Sequence, residues 1–569
     1  MKRFFARLLM VIGTLTLIMA LVSAAATYYF LRVEKPIAEQ TILEINFNEA
    51  FVEYIPADPT ARAVMGQLPR LIDLLTTLKL ASTDPRVKGI VARLGRCRMG
   101  IATIQEIRDA ILLFRESGKK TIAHAQSFGE FGPGNGAYYL ATAFEQIHLQ
   151  PSGDLGLTGI MVETPFVKKS LEKLGLVPRL DQREDYKNIM NMITEEKFTP
   201  AHKEALQQMV LSRFDQMVQD IAQSRGMEFD YLKQLVDQGP FSAHHAHAEE
   251  LVDSLSYWDE VFTTIKEEVG TDTDFLPFQD YLSRLEPPET GERVFAVIYG
   301  VGAVQTGSSG YNPMSGNLMM GSETIVKAFR EAIEDDSVSA IIFRINSPGG
   351  SYIASDTIWR ETVRASDSGK PVIVSMGDVA ASGGYFVACA TDKIVAQPGT
   401  VTGSIGVVAG KVLTKGLWDK LGVTWDEIQT SKNASIWSNL QDYSPEQWDK
   451  FQGWLDRVYD DFVTKVAQGR NLPKENVLEI AGGRIWTGQD AKQIGLVDEL
   501  GGFNEAVGLA KEAVNIPRFE LVKLKTFPEE KTFLELILEK GLPTSISIGQ
   551  RELLAANVFK FVNSIRQLL

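Results

Sequence analysis

Apolar and polar positions alternate along Thr41-Ile42-Leu43-Glu44-Ile45-Asn46-Phe47, the period of a strand with one buried face. Leu68 to Leu80 has helical spacing, Val87 to Leu94 predicts a strand, Ile104 to Glu116 a helix and Thr121 to Ala125 a strand. Such alternation argues for α/β layering. The same order then returns with matching residues. Asp84-Pro85-Arg86-Val87 through Arg93 pairs with Asp335-Asp336-Ser337-Val338 through Arg344. Gly118 to Ile122 pairs with Gly369 to Ile373, Gln150-Pro151 with Gln397-Pro398, and Leu251-Val252-Asp253 with Leu496-Val497-Asp498. The chain therefore reads as two copies of one α/β unit, 41–271 and 294–516. The charged, proline-containing stretch 272–293 reads as a linker. The tail, 517–569, ends in an amphipathic helix from Gln550 to Leu569 and receives no chemistry.

The N-terminus changes the picture. Lys2, Arg3 and Arg7 precede 24 uncharged residues, Leu8 to Leu31, more than the ~20 that span a bilayer. Residues 1–40 are thus expected to be a cytoplasmic tip and a single transmembrane anchor, with the positive flank inside. The small residues Ser23-Ala24-Ala25-Ala26 also suit a cleaved signal. Either way the bulk of the chain lies beyond the membrane.

Composition adds limits. Charged residues are 23% and apolar ones 44% of the 569, which is ordinary for a globular chain. A net charge of -14 argues against a nucleic-acid partner. Cys97 and Cys389 form no disulfide framework or zinc pattern.

The candidate chemistry sits at Met376-Gly377-Asp378-Val379-Ala380-Ala381-Ser382-Gly383-Gly384-Tyr385. A strand, Val372 onward, enters it and an apolar helix leaves it. Ser382 at the turn is a candidate nucleophile, with Gly383 and Gly384 amides free to face a developing negative charge. The ordinary alternative is a helix N-cap. The two copies differ in an informative way. Ser382 falls opposite Asn135, Ser404 opposite Leu157, and Asn346-Ser347-Pro348-Gly349-Gly350 opposite Gly95-Arg96-Cys97-Arg98-Met99. Three features are lost together, so the second copy holds the chemistry and the first is a scaffold. Ser347 is a weaker candidate, a turn residue before Pro348.

All six histidines, His124, His148, His202, His244, His245 and His247, lie in the first copy. A Ser-His-Asp triad could form only across copies. His244-His245-Ala246-His247 aligns with a helix start, so no metal site is expected there. A lysine or a carboxylate is left as the base. A lysine serves if burial lowers its pKa from ~10.4.

The anchor, the tandem α/β copies, Ser347-Pro348-Gly349-Gly350, Ala380-Ala381-Ser382-Gly383-Gly384-Tyr385, Thr402-Gly403-Ser404-Ile405-Gly406 and Trp486-Thr487-Gly488-Gln489-Asp490-Ala491 together resemble the long form of signal peptide peptidase A, in the S49 serine protease family of ClpP/crotonase-like fold. The likeness spans roughly residues 40 to 515. It implies a serine endopeptidase with a Ser-Lys dyad shared between copies, a homotetramer, no cofactor, and membrane-bound signal-peptide remnants as substrates. Residue by residue, it implies Ser382 as nucleophile and Lys187, in Asp185-Tyr186-Lys187-Asn188, as general base. It implies Ser404 as the hydroxyl orienting the lysine, and amides of Gly383 and the Gly349-Gly350 turn as the oxyanion hole. Lys432 falls nearly opposite Lys187 and is the rival base, because short-form members draw both groups from one repeat. A crotonase-like acyl-CoA enzyme and a silent membrane scaffold are the competing classes.

Overall fold

The computed structural model describes residues 36–528, except 57, 286–290, 292 and 315, together with 13, 16, 19 and 23. The predicted anchor and the predicted C-terminal helix lie outside the described residues, apart from those four positions. Among the described residues no helix is long and apolar enough to cross a membrane.

The main elements of the first copy are β1 (Thr41–Asn46), α1 (Leu71–Thr83), β2 (Val87–Leu94), α2 (Ile101–Arg115), β3 (Lys120–Ala125), α3 (Asn135–Ala141), β4 (Gln146–Leu149), β5 (Val177–Gln182), α4 (Pro200–Arg225), β6 (Ser254–Leu255) and β7 (Asp274–Pro277). Those of the second are β8 (Val294–Val301), α5 (Ser322–Glu334), β9 (Val338–Ser347), α6 (Tyr352–Asp367), β10 (Val372–Ala381), α7 (Gly383–Phe386), β11 (Lys393–Ala396), β12 (Val401–Gly403), β13 (Val408–Leu413), α8 (Pro445–Arg470), β14 (Ile485–Thr487), β15 (Glu499–Leu500), α9 (Phe503–Ala513) and β16 (Lys523–Phe527). The first sheet has the order β6-β4-β3-β2-β1-β7 and is parallel throughout. The second has the order β14-β12-β10-β9-β8-β16, with β11 and β15 continuing from the lower half of β10. Its central strands are near-continuous apolar runs, as Val338 to Ile345 and Val372 to Met376 require when both faces are covered.

Two edges depart from the sequence reading. The stretch read as a linker supplies β7, which pairs with β1 from Thr41↔Asp274 to Glu44↔Pro277. The tail supplies β16, which pairs with β8 in the same position. Each copy therefore closes its sheet on an edge strand that follows a helix, Trp258–Val269 in the first copy and α9 in the second. These strands are short and half-exposed, so their apolar pattern is faint.

The copies share one core. The cluster around β1–β4 continues into Phe295, Val297, Ile342, Ile373 and Phe503 of the second copy. Polar contacts fix the seam. Asp378, four residues before Ser382, accepts the Thr103 N–H at 3.0 Å and its hydroxyl at 2.7 Å, capping α2 of the other copy. Arg344, fully buried on β9, donates to Glu53 at 2.8 and 3.0 Å and to Glu106 at 2.7 Å. Glu106 also accepts the Phe503 N–H. Burial raises the Glu53 pKa despite Arg344, because two carboxylates share one guanidinium. Arg344→Met is expected to strand both carboxylates and to cost about 3–5 kcal/mol, read as a lowered denaturant midpoint.

Candidate active site

β10 delivers Ser382 to a sharp strand-to-helix turn. Its backbone sits at φ 54, ψ -120, outside the regions comfortable for a side-chain-bearing residue. The Ser382 N–H donates to Gly403 O at 2.9 Å, and its carbonyl accepts the Tyr385 and Phe386 amides. The side chain makes no capping bond to the helix it precedes. That disposes of the N-cap alternative, since the hydroxyl is turned to another partner.

The partner is Lys187. Its Nζ lies 2.9 Å from Ser382 Oγ, 2.9 Å from Ser404 Oγ and 2.8 Å from Ser404 O. The first copy brings it across through β5, which pairs antiparallel with β13 from Val177↔Leu413 to Gln182↔Val408. Past the ribbon, the Tyr186 N–H donates to Gly482 O at 3.1 Å. Lys187 is 5% exposed, and no carboxylate offsets its charge, so burial alone pulls its pKa down to about 7.

Ser404, at φ 52, is held by an N–H bond of 2.7 Å to Arg484 O. The Arg484 guanidinium stacks 4.9 Å from the Tyr186 ring and reaches Glu204 at 2.7 Å, while the Tyr186 hydroxyl binds the same carboxylate at 2.5 Å. One arginine thus ties the two residues flanking the lysine amine. The sequence carried no periodic signal for this clamp, because its three members are far apart in the chain.

The Gly349-Gly350 turn, at φ 95 and φ 155, abuts the serine. A Cβ on Gly349 would meet Gly383 N at 2.5 Å, so glycine is needed there. The Gly349 N–H is already spent on Ser347 Oγ at 3.2 Å. The Gly350 and Gly383 amides have no acceptor among the described residues. The expected oxyanion donors therefore narrow to Gly350 and Gly383. Ser347 itself is fully buried under the turn, which corrects its candidacy as a nucleophile.

The turn opens into an apolar cavity of about 610 Å³, lined among others by Met190, Met192, Leu206, Val379 and Phe462. Lys432 is exposed on the loop before α8 and does not line this cavity, so the rival base is out of place. Of the histidines, His202 alone lines it, packed edge-on against Phe198, and it makes no hydrogen bond to Ser382. The triad across copies that the sequence leaves open is therefore not formed by His202 among the described residues. His244, His245 and His247 lie on the short helix Ala243–Ala248, capped by Ser242.

A hydroxyl on a strained turn, beside unused amides and an uncharged-leaning amine, is the arrangement of a serine hydrolase. The Peptidase family S49 model matches residues 114–272 and 364–517, once in each copy. The chain belongs to peptidase family S49 and is a serine protease. Serine protease SPPA, chloroplastic, of Arabidopsis thaliana is 31% identical over 473 residues, covering 82% of this chain and 69% of its own. Protease 4 of Haemophilus influenzae is 32% identical over 470 residues, covering 79% and 74%. Putative signal peptide peptidase SppA of Enterococcus faecium is 34% identical over 192 residues, 34% of this chain and 56% of its own. Among solved structures, a ClpP1 mutant of Listeria monocytogenes overlaps 37% of this chain and 94% of its own at 15% identity and a TM-score of 0.24, too slight a likeness to argue from.

Proposed function

We propose that this chain is a membrane-anchored endopeptidase that cuts apolar peptides, spent signal peptides among them, with a Ser382–Lys187 dyad. The observation that carries the reading is the 2.9 Å approach of a buried amine to the Ser382 hydroxyl, with no carboxylate near the amine. A neutral amine has two N–H bonds and one lone pair. The N–H bonds go to Ser404 O and Oγ, and the lone pair faces the Ser382 hydroxyl. Lys187 takes the Ser382 proton as Oγ bonds to the peptide carbonyl carbon, and the Gly350 and Gly383 amides receive the oxyanion. The C–N bond then breaks, and the leaving amine takes the proton from Lys187. Water attacks the acyl-enzyme, giving its proton to Lys187, which returns it to Ser382 as the acid leaves.

Apolar substrates follow from the apolar lining of the cavity, and the Enterococcus faecium relative's name agrees with that class. The apolar segment Leu8 to Leu31 supports an anchor that keeps the site near such peptides. A homotetramer belongs to the same reading, and exposed Trp425, Ile428 and Trp437 are surface it would cover. Light scattering in detergent tests the subunit count.

A fluorophosphonate should label the wild type at Ser382 and leave Ser382→Ala unlabelled. Labelling that persists in Ser382→Ala removes the nucleophile assignment. The pH dependence has a definite sign. Lys187 acts only when unprotonated, so kcat/KM on an apolar peptide should rise with pH along an acid limb of apparent pKa about 7. An optimum on the acid side of that limb counts against an amine base.

A further inference from the structure

The first copy keeps a cleft of its own. It lies at the carboxyl ends of β1, β2 and β3, where Asn48, the Arg93–Arg98 segment and Ser127 line a cavity of about 930 Å³. In open parallel sheets that edge is where ligands bind, because the strand ends leave a crevice there. The same edge of the second copy, at the ends of β9 and β10, holds Ser382. This cavity is therefore the counterpart of the proteolytic cleft, formed where Gly95-Arg96-Cys97-Arg98-Met99 stands in place of Asn346-Ser347-Pro348-Gly349-Gly350.

The exchange changed the charge of the crevice. Arg93, Arg96 and Arg98 line it, and Glu130 is the one carboxylate in its lining. None of the three arginines forms an ion pair among the described residues. Glu44, beside Arg93, is half-buried and not bonded to it. Arg93 is instead laid over the Trp258 ring, 4.4 Å from its centroid. His124, behind Trp258, donates its Nε2–H to Ser256 O and is kept neutral by burial, which pushes its pKa down to about 4. The positive charge of the crevice is therefore the arginines' own. Arg93 has Glu44 for a neighbour, so Arg96 and Arg98 against Glu130 leave the crevice of a chain of net charge -14 locally positive, which attracts an anion.

We propose that this cleft binds the phosphate group of a phosphate monoester. A carboxylate is satisfied by one guanidinium fork. A phosphate near dianionic charge, with three acceptor oxygens, uses two or three. The cavity is far larger than a phosphate, so it has room for the remainder of an ester, with Asn48 and Gln126 as neutral hydrogen-bonding walls. A soluble monoester and the headgroup of phosphatidic acid, itself a monoester, present the same chemistry.

The test uses the full chain in neutral detergent, titrated with glycerol phosphate and separately with mixed micelles of that detergent and phosphatidic acid. Binding is read from fluorescence quenching that is absent in Trp258→Phe, and checked by calorimetry. Saturable, salt-sensitive binding is expected, weakened about tenfold for each of Arg96→Ala and Arg98→Ala. Both side chains are exposed and make no hydrogen bond, so the double variant should fold and cleave casein as the wild type does. Binding of phosphatidic acid that glycerol phosphate displaces assigns the site to a headgroup. Saturation by glycerol phosphate without binding of phosphatidic acid assigns it to a soluble monoester. Equal binding by wild type and double variant, or no saturation by roughly 10 mM, overturns the proposal. Preference for an acidic peptide over either phosphate overturns it as well.

Discussion

Lys187→Met is expected to yield a folded enzyme that is more stable and inactive. Turnover should fall on the order of 10^4-fold, because the variant has no group within reach of the Ser382 proton. Stability should move the other way. The folded pKa, about 7, lies below the unfolded value, so the unfolded chain binds more protons between those two values. Wild-type stability therefore rises with pH across that window. Below about 7 both states are protonated, and the full cost of a buried ammonium is present. A depression of about 3.5 pK units, from the ordinary 10.5 to about 7, corresponds to on the order of 5 kcal/mol. Losing the N–H bonds to Ser404 O and Oγ takes back about 2 kcal/mol. A net gain of roughly 2–3 kcal/mol should be seen near pH 6 and should shrink toward pH 10. Denaturant melts at both pH values measure it. Lys432→Met is the matched control and should change neither quantity, since its side chain is exposed. Turnover of Lys187→Met within about tenfold of wild type would place the base elsewhere.

The gain on removal explains what was legible beforehand. The duplicated order of strands and helices was readable because buried parallel strands leave long apolar runs at a fixed spacing. Ser382 and Ser404 were readable because the copies disagree there. Lys187 was not derivable from pattern, since one lysine in a sequence looks like another; only resemblance singled it out. What isolates it is a fold-level event: β5 leaves its own copy to pair with β13. The distinction between Gly349 and Gly350 was equally hidden, because it rests on which amide Ser347 Oγ occupies. Edge strands β7 and β16 were missed for a different reason. Each is short and pairs on one side only, so little apolar pattern marks it.

The lysine's delivery depends on a position with no side chain. Gly483 has φ +82, and a Cβ there would meet Lys187 N at 2.5 Å and Lys187 Cα at 2.6 Å. Both contacts are to backbone, so no side-chain rotation relieves them. Gly483→Ala must push the Tyr186-Lys187 segment away from β14 and carry the amine with it. A displacement near 1 Å costs about 10^2-fold in rate when it falls on the reacting groups. The left-handed backbone alone costs roughly 1–2 kcal/mol for alanine, and that part must be separated. Gly118 provides the separation, having φ +74 and nothing within 4 Å of its would-be Cβ. Gly118→Ala should show the same loss of stability with turnover intact. Gly483→Ala should lose about 100-fold in kcat with a smaller change in KM, because Ser382 and the Val379 and Phe462 side of the cavity stay in place. Fluorophosphonate labelling should slow by a similar factor, as it needs the same deprotonated hydroxyl. If Gly483→Ala keeps wild-type turnover, the amine does not reach Ser382 by this route, and the dyad across copies fails with it.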